Sequence, residues 1–440
     1  MSGAQVVSRA SIAQEGAYLD ACAACAPRFQ VHACFDVDGT LDAPGLTRAL
    51  ARLIARHGAL RTGLVHAHGR VWQAVAPHVP TPLREVDLRG RADAEQALAR
   101  LLRAASAPFD AAAPPLLRML VVRLAPARSR LAIVLDHLIA DGWSMRLLLR
   151  ELSALYAEES GAAPARLAPA HQHADWSAAQ RRELTSARVA TVARRWRRSL
   201  GADPAAAGVA LPGLRAGGTP RREAVVQTTI GAPATAALRA SAAAHAVSPF
   251  VAALAHLLPL LAQEARADAA TVVTNQANRA SPASATVVGC LTHCGFVHVE
   301  LGGRPSHDEV VRRVRDAVVN LLLAGHVPLR LLQPAMWPAR HHEVRPERRV
   351  YVVLNEPWAD GLELAGARAT RAELPYEQPP RPGLELWIAD LGERLALRAL
   401  HRDADFERAY VERLVERFTT ALGDGAAGER STAATWETVP

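Results

Sequence analysis

The 440-residue sequence contains no lysine; all 51 basic residues are arginine, set against 43 acidic ones for a net charge of +8. Alanine is abundant as well, and together these biases read as the coding habit of a GC-rich genome. A nucleic-acid surface needs clustered basic side chains interleaved with aromatics, and aromatics make up only 5% of the chain. Only "ARRWRRSL" (Ala193–Leu200) joins a tight arginine cluster to an aromatic. It reads as one face of a helix, suited to an acidic protein partner, and no nucleic-acid partner is expected. Cysteine is sparse and odd in number (Cys22, Cys25, Cys34, Cys290, Cys294), which excludes a disulfide scaffold. Cys22 and Cys25 form C-x-x-C, but no second pair exists, so no metal or redox role is assigned. No apolar run reaches the roughly 18 residues of a membrane span. The N-terminus lacks the charged start and apolar stretch of a secretory signal. A cytoplasmic protein without a membrane partner is expected.

The length suggests two domains of roughly 200 residues. Helical spacing runs through Ser11–Ala26, with Ser11 as N-cap, and through Ala43–His57, where Leu46, Leu50, Leu53 and Ile54 share a face. Strands are expected at "FQVHACFDV", "LVHAH", "RVWQAV", "LRMLVVRLA" and "SRLAIVLDH". Helices are expected at Ala92–Ala105 and Gly142–Glu158. The Gly-, Pro- and Ala-rich stretch 202–223 reads as a linker or surface crossing. Beyond it come a strand ("EAVVQTTI"), two proline-initiated helices (Pro233–Ala244 and Pro249–Gln263) and strands at "DAATVVTNQ", "RVYVVLNE", "LELWIAD" and "RLALRAL". A closing helix runs Asp405–Leu422, with Asp405 as its N-cap. Comparable halves suggest two similar α/β lobes with a groove between them.

"CFDVDGTL" (Cys34–Leu41) resembles the first motif of haloacid-dehalogenase-like phosphatases, with Asp36 as nucleophile and Asp38 as acid/base. That chemistry also needs a cation near the phosphate, usually lysine, and a later carboxylate pair for magnesium. The chain has no lysine, and "DAD" at 403–405 sits at a helix start. The alternative is a plain strand ending in a turn at Gly39.

The chemistry-bearing stretch is "LDHLIADGWSM" (Leu135–Met145), where a strand ends in polar residues and a helix begins near Gly142. Rigid strand ends commonly carry site residues. Adjacent extended residues face opposite ways, so Asp136 and His137 cannot both line one cavity. His137 is the better base, because an imidazole takes up a proton near neutrality. Asp141 could cap the helix or anchor an arginine. Gly142 permits close backbone approach, and its N–H can meet an oxyanion. "HQH" (His171–His173) and His341–His342 have no supporting acids and read as exposed.

"DHLIADGWSM" resembles the H-H-x-x-x-D-G-W-S signature of nonribosomal peptide synthetase condensation domains, with Asp136 in place of the first His. "SIAQEG" (Ser11–Gly16), "RHGALRTGL" (Arg56–Leu64), "HADWS" (His173–Ser177), "NQANR" (Asn275–Arg279), "VVGCLTH" (Val287–His293) and "HVPLRLL" (His326–Leu332) resemble further family motifs in order. The resemblance runs from about residue 8 to residue 422. It implies an α/β fold of two chloramphenicol-acetyltransferase-like lobes in a V, with a central tunnel. The N-terminal lobe would span 1–176 and the C-terminal lobe 177–440. It implies that His137 enters the tunnel as base, with Gly142 at the oxyanion, and that Asp141 pairs structurally with Arg279. Arg61 would lie structurally beneath the site, and Asp136 would face away from the tunnel or tune His137. Trp143, Ser144 and His293 are tunnel candidates.

The implied activity is transfer of an acyl or peptidyl group from a carrier-protein thioester to an amine or hydroxyl, carrier-bound or on a soluble small molecule. The enzyme itself would bind no cofactor or metal; the substrates ride on the phosphopantetheine of acyl or peptidyl carrier proteins. No adenylation or carrier motif is present, so a free-standing enzyme is expected. Asp136 and the degenerate "HVPLRLL" leave a second reading, an inactive condensation-like module that recruits a partner protein.

Overall fold

The computed structural model describes residues 6–24, 27–215, 223–324, 327–355, 361–375 and 381–423. Cys25 and His326 lie outside the described residues, so the C-x-x-C pair and the start of "HVPLRLL" have no structural account.

The chain begins with β1 (Val6–Arg9), α1 (Ile12–Ala24), β2 (Gln30–Gly39), α2 (Ala43–Arg56), β3 (Thr62–Ala67) and β4 (Arg70–Val75). Next come β5 (Leu83–Asp87), α3 (Ala94–Ala105), β6 (Leu117–Ala125), β7 (Arg128–Asp136) and α4 (Gly142–Glu159), then α5 (His173–Glu183) and α6 (Ser186–Leu200). The second half carries β8 (Glu223–Ile230), α7 (Ala232–Ala244), α8 (Pro249–Ala265), β9 (Ala269–Gln276), α9 (Pro282–Ala285) and β10 (His293–Glu300). It continues through α10 (His307–Ala324), α11 (Leu329–Met336), β11 (Val350–Asn355), β12 (Ala367–Arg371), β13 (Leu384–Asp390), β14 (Leu395–Arg402) and α12 (Arg408–Leu422).

Two mixed sheets anchor two cores. The N-terminal sheet has the order β12-β2-β7-β6-β5, and the C-terminal sheet the order β10-β9-β11-β13-β14-β8; a small sheet, β1-β4-β3, flanks the first. The elements follow from local chemistry. Leu46, Leu50, Leu53 and Ile54 form one buried stripe of α2, which packs on α4. Ser11 and Gln14 exchange side-chain and backbone hydrogen bonds at the start of α1, a reciprocal capping arrangement. Ser248 caps α8, with Pro249 at its first position. β7 lies between β2 and β6, and this central position makes its end a rigid mount. Among the described residues, no single helix is long and apolar enough to cross a membrane.

Three expectations are corrected. Part of the stretch read as a linker enters the core: Pro204, Ala207, Val209 and Leu211 are buried in the C-terminal lobe, while Ala205 and Ala210 between them are exposed. The alternation of Ala207, Val209 and Leu211 is too short, among glycine and proline, to read as a strand in the sequence. Asp405 is not the N-cap of α12, which is Glu407; its carboxylate instead holds Arg402 and the Gly383 N–H. The lobe boundary also shifts. Ser177 and Gln180 of α5 bond to Arg9 and Ile12 of the N-terminal lobe, whereas Trp196 and Leu200 of α6 join the C-terminal core. The chain therefore passes between the cores near 184–185 rather than at 176.

A further departure from a 1–176/177–440 division is β12. This strand comes from the C-terminal half but pairs antiparallel with β2, and Leu362, Leu364 and Leu374 around it are buried in the N-terminal core. A strap thus ties the second half of the chain back onto the first. Its close approach needs Gly39, whose φ is +121° and whose Cβ, if present, would lie 2.5 Å from the Gly366 carbonyl oxygen. Gly39→Ala is expected to loosen the strap and to cost at least ~1 kcal/mol. Limited proteolysis with peptide mapping checks this: cleavage within 361–375 should accelerate, and a digestion pattern identical to that of the parent protein would refute the strap.

Candidate active site

The segment after β7 is held before any function is asked of it. His137 N–H donates to the Phe29 carbonyl at 2.9 Å, Ile139 N–H to the Asp136 carbonyl at 3.1 Å, and Asp136 N–H to Leu116 at 3.0 Å. Leu138, Ile139 and Ala140 are buried. Asp136 and His137 part company here. Asp136 Oδ2 accepts from Arg28 Nε at 2.9 Å and lies 2.8 Å from Arg28 Nη2, while Oδ1 accepts the Leu138 N–H at 2.9 Å. Arg28 also donates to the Phe109 carbonyl at 2.7 Å. The Asp136 carboxylate is therefore fully engaged inside the N-terminal lobe.

His137 is half-buried, with Nδ1 3.6 Å from Cys290 Sγ. Burial lowers its pKa below the ordinary imidazole value and outweighs the opposing pull of Asp141 and Asp136; the Arg381 charge lowers it further. The neutral, proton-accepting form is favoured. Burial also keeps the Cys290 thiol protonated, and its sulfur stands beside Nδ1 as a weak acceptor, the arrangement that leaves the lone pair on Nε2.

Four residues on, Asp141 caps α4. Its Oδ1 accepts from Ser144 N–H at 2.9 Å, Ser144 Oγ at 2.7 Å and Arg279 Nη2 at 2.8 Å. Oδ2 accepts from the backbone N–H groups of Leu291 (3.1 Å) and Thr292 (3.2 Å) and from Thr292 Oγ1 (3.1 Å). The two charged side chains are 1% and 2% exposed. Burial alone would raise the Asp141 carboxyl; Arg279 and the surrounding N–H and O–H donors outweigh it and hold the group below its ordinary value.

The remaining sequence candidates separate. Ser144 is corrected as a tunnel residue: it is fully buried, and its hydroxyl is spent on Asp141, Gly289 and Arg279. Trp143 is partly exposed; its Nε1 donates to the Ala285 carbonyl at 3.0 Å, and Arg146 lies over its ring at 4.7 Å. His293 is buried at the start of β10, opposite Gln276. A Cβ on Gly142 would meet nothing within 4 Å, so open space lies beside the first residue of α4. Arg61 is not in this group: it bonds the carbonyls of Ile54 (3.2 Å), Ala76 and Pro77 (3.1 Å). His173, read as exposed, is buried against Gly289, where a Cβ would lie 2.1 Å from its ring, and burial pushes its pKa down to about 4. His171, His341 and His342 are exposed. Asp36 is bound by Arg130 at 2.9 Å in mid-strand, and β12 pairs alongside Asp36 and Asp38, a placement unlike a strand-end phosphatase nucleophile. Among the described residues, no three His, Cys, Asp or Glu are placed to hold a metal ion.

Sequence reasoning missed Arg28, Cys290, and the His57–Glu151 contact (2.7 Å) that pins the end of α2 to α4. "VVGCLTH" held Cys290 in plain view, but only the fold brings it to His137.

The family profile described as "Condensation domain" matches residues 5–440. Phosphinothricin tripeptide synthetase PhsB of Streptomyces viridochromogenes is 32% identical over 340 residues, covering 76% of this chain and 28% of that protein. The chain thus spans well under half the length of this curated relative. Among solved structures, the first condensation domain of the calcium-dependent antibiotic synthetase in complex with a substrate analogue superposes with a TM-score of 0.77 at 19% identity, covering 96% and 98% of the two chains. The X-domain of teicoplanin biosynthesis, solved in complex with OxyB, gives 0.74 at 20% identity, covering 90% and 88%.

Removing one partner of a buried ion pair strands the other charge, at a cost of about 3–5 kcal/mol. Asp141→Ala and Arg279→Ala should each lose that much in urea denaturation at pH 7. Because the folded Asp141 carboxyl lies below its ordinary 3.8, its contribution is present above that value and fades as pH falls through the folded one. The parent protein should therefore lose more stability on acidification below pH 3.8 than Asp141→Asn does. Parallel acid profiles for the two would contradict the charged pair.

Proposed function

The chain belongs to the condensation-domain family and has its two-lobe chloramphenicol-acetyltransferase-like fold, and from that membership we propose that it is an acyltransferase of natural-product biosynthesis. It moves an acyl or peptidyl group from a carrier-protein thioester to an amine or hydroxyl acceptor. The observation that carries this reading is the half-buried His137, at a rigid strand end, with a lowered pKa and open space beside Gly142.

The donor thioester is already activated, so the enzyme needs no nucleophile of its own. The acceptor attacks the thioester carbonyl carbon; a C–N or C–O bond forms as the C–S bond breaks. With Nδ1 turned to Cys290, Nε2 of His137 takes the acceptor's proton and returns it to the departing pantetheine sulfur. The developing oxyanion meets the backbone N–H at Gly142, where the α4 dipole favours negative charge. Arg279 and Asp141 touch neither substrate; they fix where the helix start stands. Phosphopantetheine belongs to the carrier and reaches the site as part of the substrate.

A second reading, recruitment of a partner without chemistry, rests on Asp136 in place of the signature's first His and on the likeness to an X-domain solved with OxyB. The Arg28 pairing of Asp136 answers the first point, since it directs the exchanged residue into the lobe interior.

With acyl-loaded carrier protein and a panel of amine and hydroxyl acceptors, His137→Ala should lower kcat/KM by about 10²–10⁴-fold. Equal turnover in both proteins would remove His137 as the base; no turnover in either, with tight partner binding, would favour recruitment. Because the folded imidazole titrates below 6.5, the acid limb of the kcat/KM–pH profile should fall below pH 6.5 and be absent from any residual rate of His137→Ala. A limb at or above 6.5 would contradict the buried base.

A further inference from the structure

One face of the C-terminal sheet carries charge that the acyl-transfer scheme above leaves unused. β11 and β13 run parallel with Tyr351 opposite Glu385, and alternation puts Arg349, Tyr351, Glu385 and Trp387 on the same side. Arg381, just ahead of β13, lies 3.2 Å through Nε from Glu385 Oε1. Glu385 Oε2 accepts from Trp387 Nε1 at 2.9 Å, which fixes the carboxylate. Arg349 Nη1 donates to Tyr351 Oη at 3.3 Å, and Arg349 Nε is buried without a hydrogen-bond partner.

This cluster lies against the candidate base. The Arg381 guanidinium sits 4.1 Å from the Phe29 ring centroid and 5.8 Å from that of Tyr351. Phe29 is the residue whose carbonyl holds the His137 backbone. Among the described residues the cluster has two guanidinium groups and one carboxylate. The Arg381 side chain is 27% exposed, whereas Glu385 is buried. A desolvated cationic surplus with spare planar donors, open on one side, matches a carboxylate. The phosphate of a pantetheine arm has the same charge but sits at the far end of that arm from the reacting carbon, away from a group packed on Phe29.

We propose that Arg381, backed by Arg349 and oriented by Glu385, binds a free carboxylate on one of the two substrates. The site rests on the acyl-transfer reading for its use but not for its existence. On the acceptor, the carboxylate means an amino or hydroxy acid used with its acid group free. On the donor, it means an acyl chain ending in an acid.

The test is equilibrium binding to the full chain in two arms, read by saturation-transfer NMR and calorimetry. The acceptor arm compares proteinogenic L-amino acids with their carboxamides. The donor arm compares succinyl- with butyryl-N-acetylcysteamine thioester. In one arm the acid should bind at least ~10-fold more tightly than its neutral partner. Arg381→Gln should abolish that preference and Arg381→Lys should restore part of it; should Arg381→Gln fail the circular-dichroism check of folding, Arg349→Gln reads the same loss. Acids and neutral partners that bind alike in both arms, including no binding at all, overturn the proposal. So does a folded Arg381→Gln protein that keeps the preference. A preference without condensation leaves the site standing and removes the acyl-transfer reading; condensation without a preference does the reverse.

Discussion

The Asp141–Arg279 pair is the constraint on which the rest of the site depends. One carboxylate caps the helix that follows the His137 segment, neutralises an arginine from the other lobe and accepts two backbone N–H groups of the 291–292 turn. Because helix cap and inter-lobe contact share two oxygens, the helix start cannot move without moving the opposite lobe. Ser144 and Gly289 follow from this: the Ser144 hydroxyl bridges Asp141 to the Gly289 backbone, and only a residue without Cβ leaves room for His173 behind it. A buried pair of this kind is a poor source of net stability compared with an apolar contact of the same size. Its value lies in specifying one alignment, since any other leaves a charge unpaired in a dry interior.

Around that bolt, adjacent residues have opposite duties. Strand geometry sends Asp136 into the N-terminal lobe, where Arg28 removes its charge from circulation. It sends His137 the other way, where burial lowers its basicity and keeps it neutral. A histidine at 136 would not satisfy Arg28 as a carboxylate does. The departure from the signature is thus compensated by Arg28 inside the N-terminal lobe, and His137 and the open space beside Gly142 lie outside that pairing.

The local elements were legible in the sequence because their signals are local. The leucine stripe of α2, the adjoining strands 117–125 and 128–136, and the serine and proline starts of α1 and α8 each depend on neighbours within a few residues. What was not legible depends on distant partners. β12 is a strand only because β2 offers it an edge, and Ala207, Val209 and Leu211 are core only because distant elements of the C-terminal lobe pack on them. His173 was misread because its burial is supplied by a glycine more than a hundred residues away. In the site, motif resemblance named His137, Asp141 and Arg279, but not the contacts that set their chemistry. Arg28 and Arg381 lie in no motif, and Cys290, although inside "VVGCLTH", reaches His137 only through the fold.

The absence of lysine has a structural counterpart. Several arginines bracket backbone carbonyls: Arg28 holds Phe109, Arg61 holds Ile54 and Pro77, Arg118 holds Ala105, Arg181 holds Ala10 and Arg313 holds Glu300. These are chain ends and loops where orphan carbonyls need donors. A guanidinium offers five N–H groups in a fixed fork, so one side chain can meet a carboxylate and a carbonyl together, as Arg28 and Arg181 do. A lysine ammonium in the same places would be a point charge on a flexible stem. These arginines therefore serve the scaffold. Buried guanidinium donors without a hydrogen-bond partner remain on Arg279 and Arg349, and the carboxylate site proposed above draws on Arg349 together with the part-exposed Arg381.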